Sequence, residues 1–214
     1  MCGLFAVSGA YFAETLRDVA LLASTRGPHS HGVAWFDGES LRVSRASGPL
    51  TSASVSKLPR AAAWAVAGHS RLATTGVNVA DVASAQPLDC GDIVVCHNGR
   101  VPRFAALAAA EGLAPSTDND SEVLGRLIAK RIPLDGIARA IVNAVRSACP
   151  STPGALVVLH RSALAFYAFG QPLFAQVTPT WSAVCSREFA GAVAVRPKTG
   201  AVIYRDGSSE EISS

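Results

Sequence analysis

The sequence has few charged residues. Only 16% of its 214 residues are Asp, Glu, Lys or Arg, whereas 49% are hydrophobic. This balance excludes a disordered chain, which is rich in charge and too poor in apolar groups to bury a core. No polar linker interrupts the chain, so one domain with a sizeable core is predicted. We expect this domain to cover residues 2–206 and to be followed by a polar, frayed tail over residues 207–214.

The sequence also lacks the features of nucleic-acid and membrane proteins. Its net charge is only +3, and no run of four or more Lys or Arg residues is present, so we expect no nucleic-acid partner. The longest uncharged stretch, residues 162–186, contains Gly170, Pro172 and Pro179, which a membrane-spanning helix would not tolerate. The N-terminus has no basic segment followed by an apolar stretch and a cleavage site, which favours a cytoplasmic location.

The cysteine and histidine patterns indicate neither a disulfide framework nor a metal site. The chain has five cysteines and no Cys-x-x-Cys pair. Four of them lie in apolar runs and are expected to be reduced, buried thiols: Cys90, Cys96, Cys149 and Cys185. His29 and His31 are a possible ligand pair, but no acidic or cysteine partner stands at zinc-type spacing. We therefore expect no metal and no cofactor.

The hydrophobic pattern predicts an α+β protein. Strand-like runs come first, helices occupy the middle, and further strand-like runs fill the last third. The predicted helices cover residues 14–25, 104–111, 121–131 and 134–148. The predicted strands cover residues 4–7, 32–36, 40–44, 61–67, 93–97, 155–160, 163–169, 173–177, 182–185, 191–195 and 201–205. This order favours two antiparallel sheets with helices outside them.

Cys2 differs from the other cysteines because it directly follows the initiator methionine. A short side chain in second position permits removal of Met1, which would make Cys2 the first residue. A thiol is a strong nucleophile but is mostly protonated near neutrality. The freed α-amine, with a pKa of about 7.7–8.0, can then act as the general base. Taken alone, a cysteine in second position is also expected by chance.

Three further positions are suited to acyl transfer on an amino-acid substrate. Asn98 and Gly99, after a strand, offer a side-chain amide and a backbone N–H for an oxyanion, although Asn-Gly also forms ordinary hairpin turns. Arg71, in a segment bounded by glycines, can bind a carboxylate through two hydrogen bonds. Asp120 can pair with an ammonium group, although its Asp/Asn-rich surroundings also suit a helix N-cap.

Taken together and in order, the motifs are more specific than any one of them. The chain contains Met-Cys-Gly at its start, and then Arg26-Gly27-Pro28-His29-Ser30-His31-Gly32, Gly68-His69-Ser70-Arg71, Gln86-Pro87-Leu88, His97-Asn98-Gly99 and Asp120-Ser121-Glu122-Val123. From Cys2 to about Ile128 the sequence resembles the class II glutamine amidotransferases, which are N-terminal-nucleophile (Ntn) enzymes. The resemblance implies a four-layer αββα fold and hydrolysis of the side-chain amide of L-glutamine.

The resemblance also implies roles for individual residues. Cys2 would be the nucleophile, with its freed amine as base, and Asn98 and Gly99 would form the oxyanion hole. The substrate-binding residues would be Arg71 for the glutamine carboxylate, Thr74 nearby, Asp120 for the α-ammonium group, and Arg26 as a more indirect support of the nucleophile.

Three departures from the family pattern concern the surroundings of the site. His29 stands where the family has an acidic residue, and Leu72 stands where an aromatic residue usually follows the glutamine-binding arginine. After Asn-Gly the chain continues Arg100-Val101-Pro102-Arg103 in place of the usual acidic residue and Ile-Tyr-Asn type run. The Leu72 and Arg100 departures leave room for a larger leaving group, so an amidase acting on a γ-glutamyl amide intermediate remains an alternative. A non-catalytic glutamine-sensing subunit is a second alternative, although such a subunit has no chemical need for Cys2, Asn98 and Gly99.

The length of the chain bears on its partner. Familiar class II amidotransferases fuse this domain to a synthase that consumes the ammonia, and 214 residues leave no room for one. We therefore expect a separate synthase subunit as the partner.

Overall fold

The computed structural model describes residues 1–10, 13–58, 63–73, 82–83 and 85–214. Thr74, one of the predicted glutamine-binding residues, lies outside these ranges, as do residues 61–62 of a predicted strand. In the described ranges the helices are α1 (Ala13–Ser24), α2 (Ser52–Val55), α3 (Phe104–Glu111) and α4 (Asp120–Ala148). None of these helices is long and apolar enough to cross a membrane.

The described strands form two sheets in which all neighbours pair antiparallel. The first runs in the order β11 (Val193–Ala194), β9 (Phe174–Val177), β10 (Trp181–Cys185), β1 (Gly3–Gly9), β4 (Ala65–Arg71), β2 (Ser30–Asp37) and β3 (Ser40–Ser47). The second runs in the order β13 (Ser209–Ser213), β12 (Thr199–Tyr204), β8 (Ala163–Ala168), β7 (Ala155–His160), β6 (Ile93–Asn98) and β5 (Leu88–Asp89).

Three apolar clusters join these elements into four layers. Side chains alternate between the two faces of a strand, so neighbours on β1 enter different clusters. Phe5 packs with Val19 of α1 on the outer face of the first sheet, whereas Leu4 packs with Leu164 between the sheets. Leu127 of α4 belongs to the third cluster, on the outer face of the second sheet. The predicted αββα arrangement is thereby confirmed.

The C-terminal segment departs from the prediction. Residues 209–213 are not frayed but form β13, which pairs with β12 along its whole length. The strand contributes one buried apolar side chain, Ile212, to the cluster beneath α4. A single apolar residue among polar neighbours gives no recognisable period, which is why the sequence pattern pointed to a tail.

Among the other predicted boundaries that moved, two have a clear local reason. Strand β4 extends to Arg71, four residues beyond the predicted end, because His69 and Ser70 are buried although they are polar. The two helices predicted over residues 121–131 and 134–148 form one element, α4, interrupted at Gly136, where φ is 74° and ψ is 168°. Only glycine adopts such a φ without strain, so the chain changes direction there.

Candidate active site

Strand pairing in the first sheet, and the stacking of the second sheet on it, bring the ends of three strands together. Cys2 precedes β1, and Arg71 ends the neighbouring strand β4, since Gly3 pairs with Ser70. From the second sheet, β6 ends at Asn98, and the Cys2 backbone N–H donates to Asn98 Oδ1 at 3.3 Å. The predicted nucleophile and the predicted oxyanion residue, 96 positions apart in sequence, are therefore in direct contact.

Gly3 allows the end of α1 to lie close to the start of β1. A Cβ atom at this position would lie 1.9 Å from the carbonyl oxygen of Ala23, near the end of α1. No side chain fits at that distance, so glycine after Cys2 allows α1 to pack against the start of β1. The Met-Cys-Gly motif therefore combines a reactive residue with a packing requirement.

The Cys2 sulfur lies against the backbone of Leu72. The Leu72 N–H donates to Sγ at 3.4 Å, and Sγ lies 3.8 Å from the Leu72 carbonyl oxygen, to which the thiol donates. Burial raises the pKa of the thiol, and this effect exceeds the lowering by the Leu72 hydrogen bond, the N-terminal amine, Arg71 and Arg26. The thiol is therefore mostly protonated at neutral pH and needs a base before it can attack.

One of the two polar side-chain atoms of Asn98 forms a hydrogen bond, and the other has no partner among the described residues. Its Oδ1 accepts the Cys2 N–H, whereas its Nδ2 is buried without a hydrogen-bond partner among the described residues. Buried amide nitrogens are rarely left unpaired, so Nδ2 is a donor available to a ligand atom. The ordinary hairpin considered for Asn-Gly is absent, because β6 leads through residues 99–103 into α3.

The His97 ring packs against Gly99 and is itself held in place by several contacts. Gln86 holds the His97 backbone at two points, accepting its N–H through Oε1 and donating to its carbonyl from Nε2. The ring stacks on Phe169 with a centroid distance of 5.9 Å, and its Nδ1 lies 2.9 Å from Ser121 Oγ. A Cβ at Gly99 would lie 2.4 Å from His97 Nε2, so only glycine fits beside this fixed ring.

Asp120 links the turn to α4. Its Oδ2 accepts the Val101 N–H at 2.7 Å, and its Oδ1 accepts the Ser121 hydroxyl at 3.4 Å. The N-cap of α4 is Asn119, whose side chain accepts the Ser121 N–H, so Asp120 is not needed as a cap. The half-buried carboxylate is thus held two residues from Gly99 by its contact to Val101.

The two arginines have different surroundings. Arg26 donates from Nη1 to the Ser186 carbonyl at 2.6 Å and from Nη2 to Met1 Sδ at 3.1 Å, while the Leu4 N–H donates to Ser186 Oγ. Arg26 is therefore linked through Ser186 to Leu4 in β1. Arg71 is half-buried at the end of β4, close enough for its charge to lower the pKa of Cys2.

Sequence reasoning missed three contributors to this site: His29, Gln86 and the Leu72 backbone. Gln86 stands in the Gln86-Pro87-Leu88 motif, but its two-point contact with His97 has no sequence signal of its own. His29 and Leu72 depart from the family pattern in side-chain type, but each acts here through a backbone N–H. The His29 ring accepts the Ala73 N–H, and the Leu72 N–H donates to the Cys2 sulfur. In the described ranges, no three His, Cys, Asp or Glu side chains come together as metal ligands would.

A cysteine next to the first residue, a side-chain amide beside it and two stacked antiparallel sheets define an Ntn-type hydrolase fold. No family model matches the chain. It is 35% identical over 136 residues to a glutamine–fructose-6-phosphate aminotransferase from Agrobacterium fabrum, covering 61% of this chain and 22% of the relative. It is 33% identical over 128 residues to an amidophosphoribosyltransferase from Archaeoglobus fulgidus, covering 56% and 27%.

Solved structures agree on the fold. The glutamine phosphoribosylpyrophosphate amidotransferase of B. subtilis superposes with a TM-score of 0.74 at 24% identity, covering 99% of this chain and 49% of that one. A glutamine aminotransferase class-II domain protein from Silicibacter pomeroyi gives a TM-score of 0.66 at 19% identity, with full coverage of both chains. The chain is thus a homologue of class II glutamine amidotransferase domains, and the predicted resemblance is confirmed. It spans about a quarter of the length of the curated relatives it matches.

Two buried histidines predict acid sensitivity of the fold. Burial lowers the pKa of His69 to about 3, with smaller contributions from His97 and Arg71, and burial also lowers the pKa of His97. Below the unfolded pKa of about 6.5 the unfolded chain binds protons that the folded chain does not, so stability falls by about 1.4 kcal/mol per pH unit per histidine. We expect the free energy of unfolding to drop by about 3–4 kcal/mol between pH 7 and pH 5, measured by urea unfolding.

A variant separates this effect from general acid instability. His69→Gln removes one of the two titrating groups and should roughly halve the slope of unfolding free energy against pH in this window. Equal stability of the parent protein at pH 7 and pH 5 would contradict the prediction, as would an unchanged slope in the variant.

Proposed function

We propose that this domain hydrolyses the side-chain amide of L-glutamine to glutamate and ammonia through a γ-glutamyl thioester on Cys2. The observation that carries this proposal is the hydrogen bond between the Cys2 backbone N–H and Asn98 Oδ1, which leaves Nδ2 of the same amide as a buried donor without a partner among the described residues. An oxyanion that develops next to Sγ needs such a donor in place before the reaction begins. The relationship to amidotransferases whose names include glutamine supports glutamine as the substrate.

Removal of Met1 prepares the base. Met1 is 63% exposed, so its peptide bond to Cys2 lies within reach of processing enzymes. The freed Cys2 amine would keep its hydrogen bond to Asn98 Oδ1, which orients the amine and leaves its lone pair for the thiol proton. Because burial raises the pKa of the thiol, this transfer is needed at neutral pH.

In the first half-reaction the amine takes the thiol proton and Sγ bonds to the amide carbon. The carbonyl oxygen becomes an oxyanion, and Asn98 Nδ2 and the Gly99 N–H donate to it. Collapse of this intermediate breaks the carbon–nitrogen bond, and the protonated amine gives its proton to the departing nitrogen, which leaves as ammonia. The product on the enzyme is a γ-glutamyl thioester.

In the second half-reaction a water molecule attacks the thioester. The Cys2 amine accepts a proton from that water, the same two donors stabilise the second oxyanion, and the sulfur leaves to be reprotonated. Throughout both steps Arg71 would hold the substrate carboxylate and Asp120 its ammonium group. Thr74 would lie nearby, and Arg26 would hold the start of β1 through Ser186.

The direct test is incubation of the processed protein with L-glutamine and measurement of both products. We expect glutamate and ammonia in equal amounts, with no reaction of D-glutamine. Preferential hydrolysis of larger γ-glutamyl amides would favour the amidase alternative, for which the exposed Leu72 and Arg100 next to the site leave space. Binding of glutamine without turnover would favour the sensing alternative and contradict the proposal.

The use of the ammonia and the location are further proposals. The relatives are several times longer than the segment they share with this chain, which supports a synthase as consumer of the ammonia. We place that synthase in a separate subunit, and recovery of only a free monomer from native extract would contradict this. Four buried free thiols suit a reducing compartment, which supports the cytoplasm.

A further inference from the structure

His29 lies between α1 and β2 and contacts the chain that follows β4. Its ring Nδ1 accepts the Ala73 N–H at 2.9 Å, and its own backbone N–H donates to the Arg71 carbonyl at 3.1 Å. Its carbonyl oxygen accepts the Gly48 N–H at 2.8 Å, which fixes the residue from its other side. His29 is therefore anchored through its backbone and holds residues 71–73 at two points.

The segment that His29 holds is the one that touches the nucleophile. Leu72 lies between the two anchored residues, and its N–H donates to Cys2 Sγ at 3.4 Å. The contact is made by the Leu72 backbone, and its side chain is 38% exposed. A backbone N–H pointed at sulfur stabilises the thiolate more than the thiol, because hydrogen bonds to a charged acceptor are the stronger ones.

We propose that His29 is a positioning residue that holds the Leu72 amide against the Cys2 sulfur by accepting the Ala73 N–H, and so favours the thiolate. The role rests on the proposed function only in that Cys2 is the nucleophile. Three other groups also act on the thiol through their charge, namely the N-terminal amine, Arg71 and Arg26, and a substitution of the His29 side chain leaves the charge of each of them, and the His29 backbone contact to Arg71, in place. A change in thiol titration can therefore be assigned to the backbone contact.

The ring must present a lone pair at Nδ1 to accept the Ala73 N–H, so its proton resides on Nε2. An asparagine at this position carries a side-chain oxygen that can accept the same N–H. A leucine has similar bulk and no acceptor. Comparison of the two separates the hydrogen bond from the volume of the side chain.

The test is the pH dependence of Cys2 alkylation by iodoacetamide, with the modified peptide identified by mass spectrometry. In His29→Leu we expect the midpoint of the Cys2 profile to rise by about one pH unit, which makes alkylation at pH 7 up to about ten-fold slower. In His29→Asn the midpoint should return most of the way to that of the parent protein. His160→Leu is the matched control, since His160 Nδ1 also accepts a backbone N–H, that of Ser162 at 3.2 Å, away from the site.

An unchanged Cys2 profile in folded His29→Leu would overturn the proposal, and so would an equal shift in His160→Leu. If His29→Leu does not fold, His29→Ala replaces it. If both fail to fold while His29→Asn folds, His29 serves only the fold and the proposal is wrong. Alkylation requires no glutamine, so a protein that does not hydrolyse glutamine still reports this result and distinguishes it from failure of the proposed function.

Discussion

Replacement of Cys2 by alanine is expected to lower the rate of glutamine hydrolysis by about 10⁴-fold or more, because no thioester can form. Cys2→Ser keeps the amine and the hydrogen bond to Asn98, but its hydroxyl is a much poorer nucleophile than a thiol. We therefore expect it to retain little activity while still binding glutamine. Steady-state release of glutamate, together with calorimetric glutamine binding, measures both effects.

Cys90→Ala is the matched control for this change. Cys90 is a buried thiol whose Sγ lies near the carbonyl oxygens of Leu88 and Glu122, and it makes no contact with Cys2 in the described structure. Its removal should leave the rate within about two-fold of the parent protein, since surface and core changes away from a site act mainly on stability. Full activity in Cys2→Ala would end the thioester mechanism.

Replacement of Asn98 by alanine is the second large effect, an expected loss of about 10²–10³-fold in kcat with a small change in KM. The substitution removes Nδ2, the buried donor without another partner among the described residues, and loss of one oxyanion donor typically costs this much. It also removes Oδ1, which accepts the Cys2 N–H, so the amine loses its orientation as well. Steady-state kinetics with glutamine separate kcat from KM.

Asn143→Ala, a substitution in α4, is the matched control for Asn98→Ala. The Asn143 side chain also donates through Nδ2, to Asp135 at 3.0 Å, but it lies in the C-terminal part of α4, whereas the site lies at the start of this helix. We expect unchanged kinetics in this variant. A rise in KM with unchanged kcat in Asn98→Ala would show that Asn98 binds substrate in its ground state only, which contradicts an oxyanion role.

The layered fold and the core of the site could be predicted because local sequence carries them. The helix over residues 104–111 and the strand over residues 155–160 have the predicted bounds, since their apolar patterns are uninterrupted. The resemblance rested on short motifs that lie at one end of a strand, except for Asp120-Ser121-Glu122-Val123 at the start of α4. Stacking of the two sheets then brings Cys2, before β1, and Asn98, at the end of β6, together, as that resemblance requires.

What escaped prediction depends on contacts between distant segments. The Leu72 side chain departs from the family pattern, yet the backbone N–H that meets Sγ is available to any residue except proline. The Gln86 side chain and the His97 backbone are joined by two hydrogen bonds that no periodicity reveals. Strand β13 depends on pairing with β12, because its own residues are mostly polar.

In the proposed function, Cys2 becomes the first residue and acts as a nucleophile on glutamine. This role is tested most directly by the intact mass of the protein before and after treatment with a diazo-ketone analogue of glutamine. We expect a mass without Met1 that gains one adduct, with the label mapped to Cys2 and blocked by an excess of glutamine. A processed chain that takes no label, or one that is labelled at another cysteine, would contradict this assignment of the nucleophile. A chain that retains Met1 and still hydrolyses glutamine would contradict the role of the Cys2 amine as base.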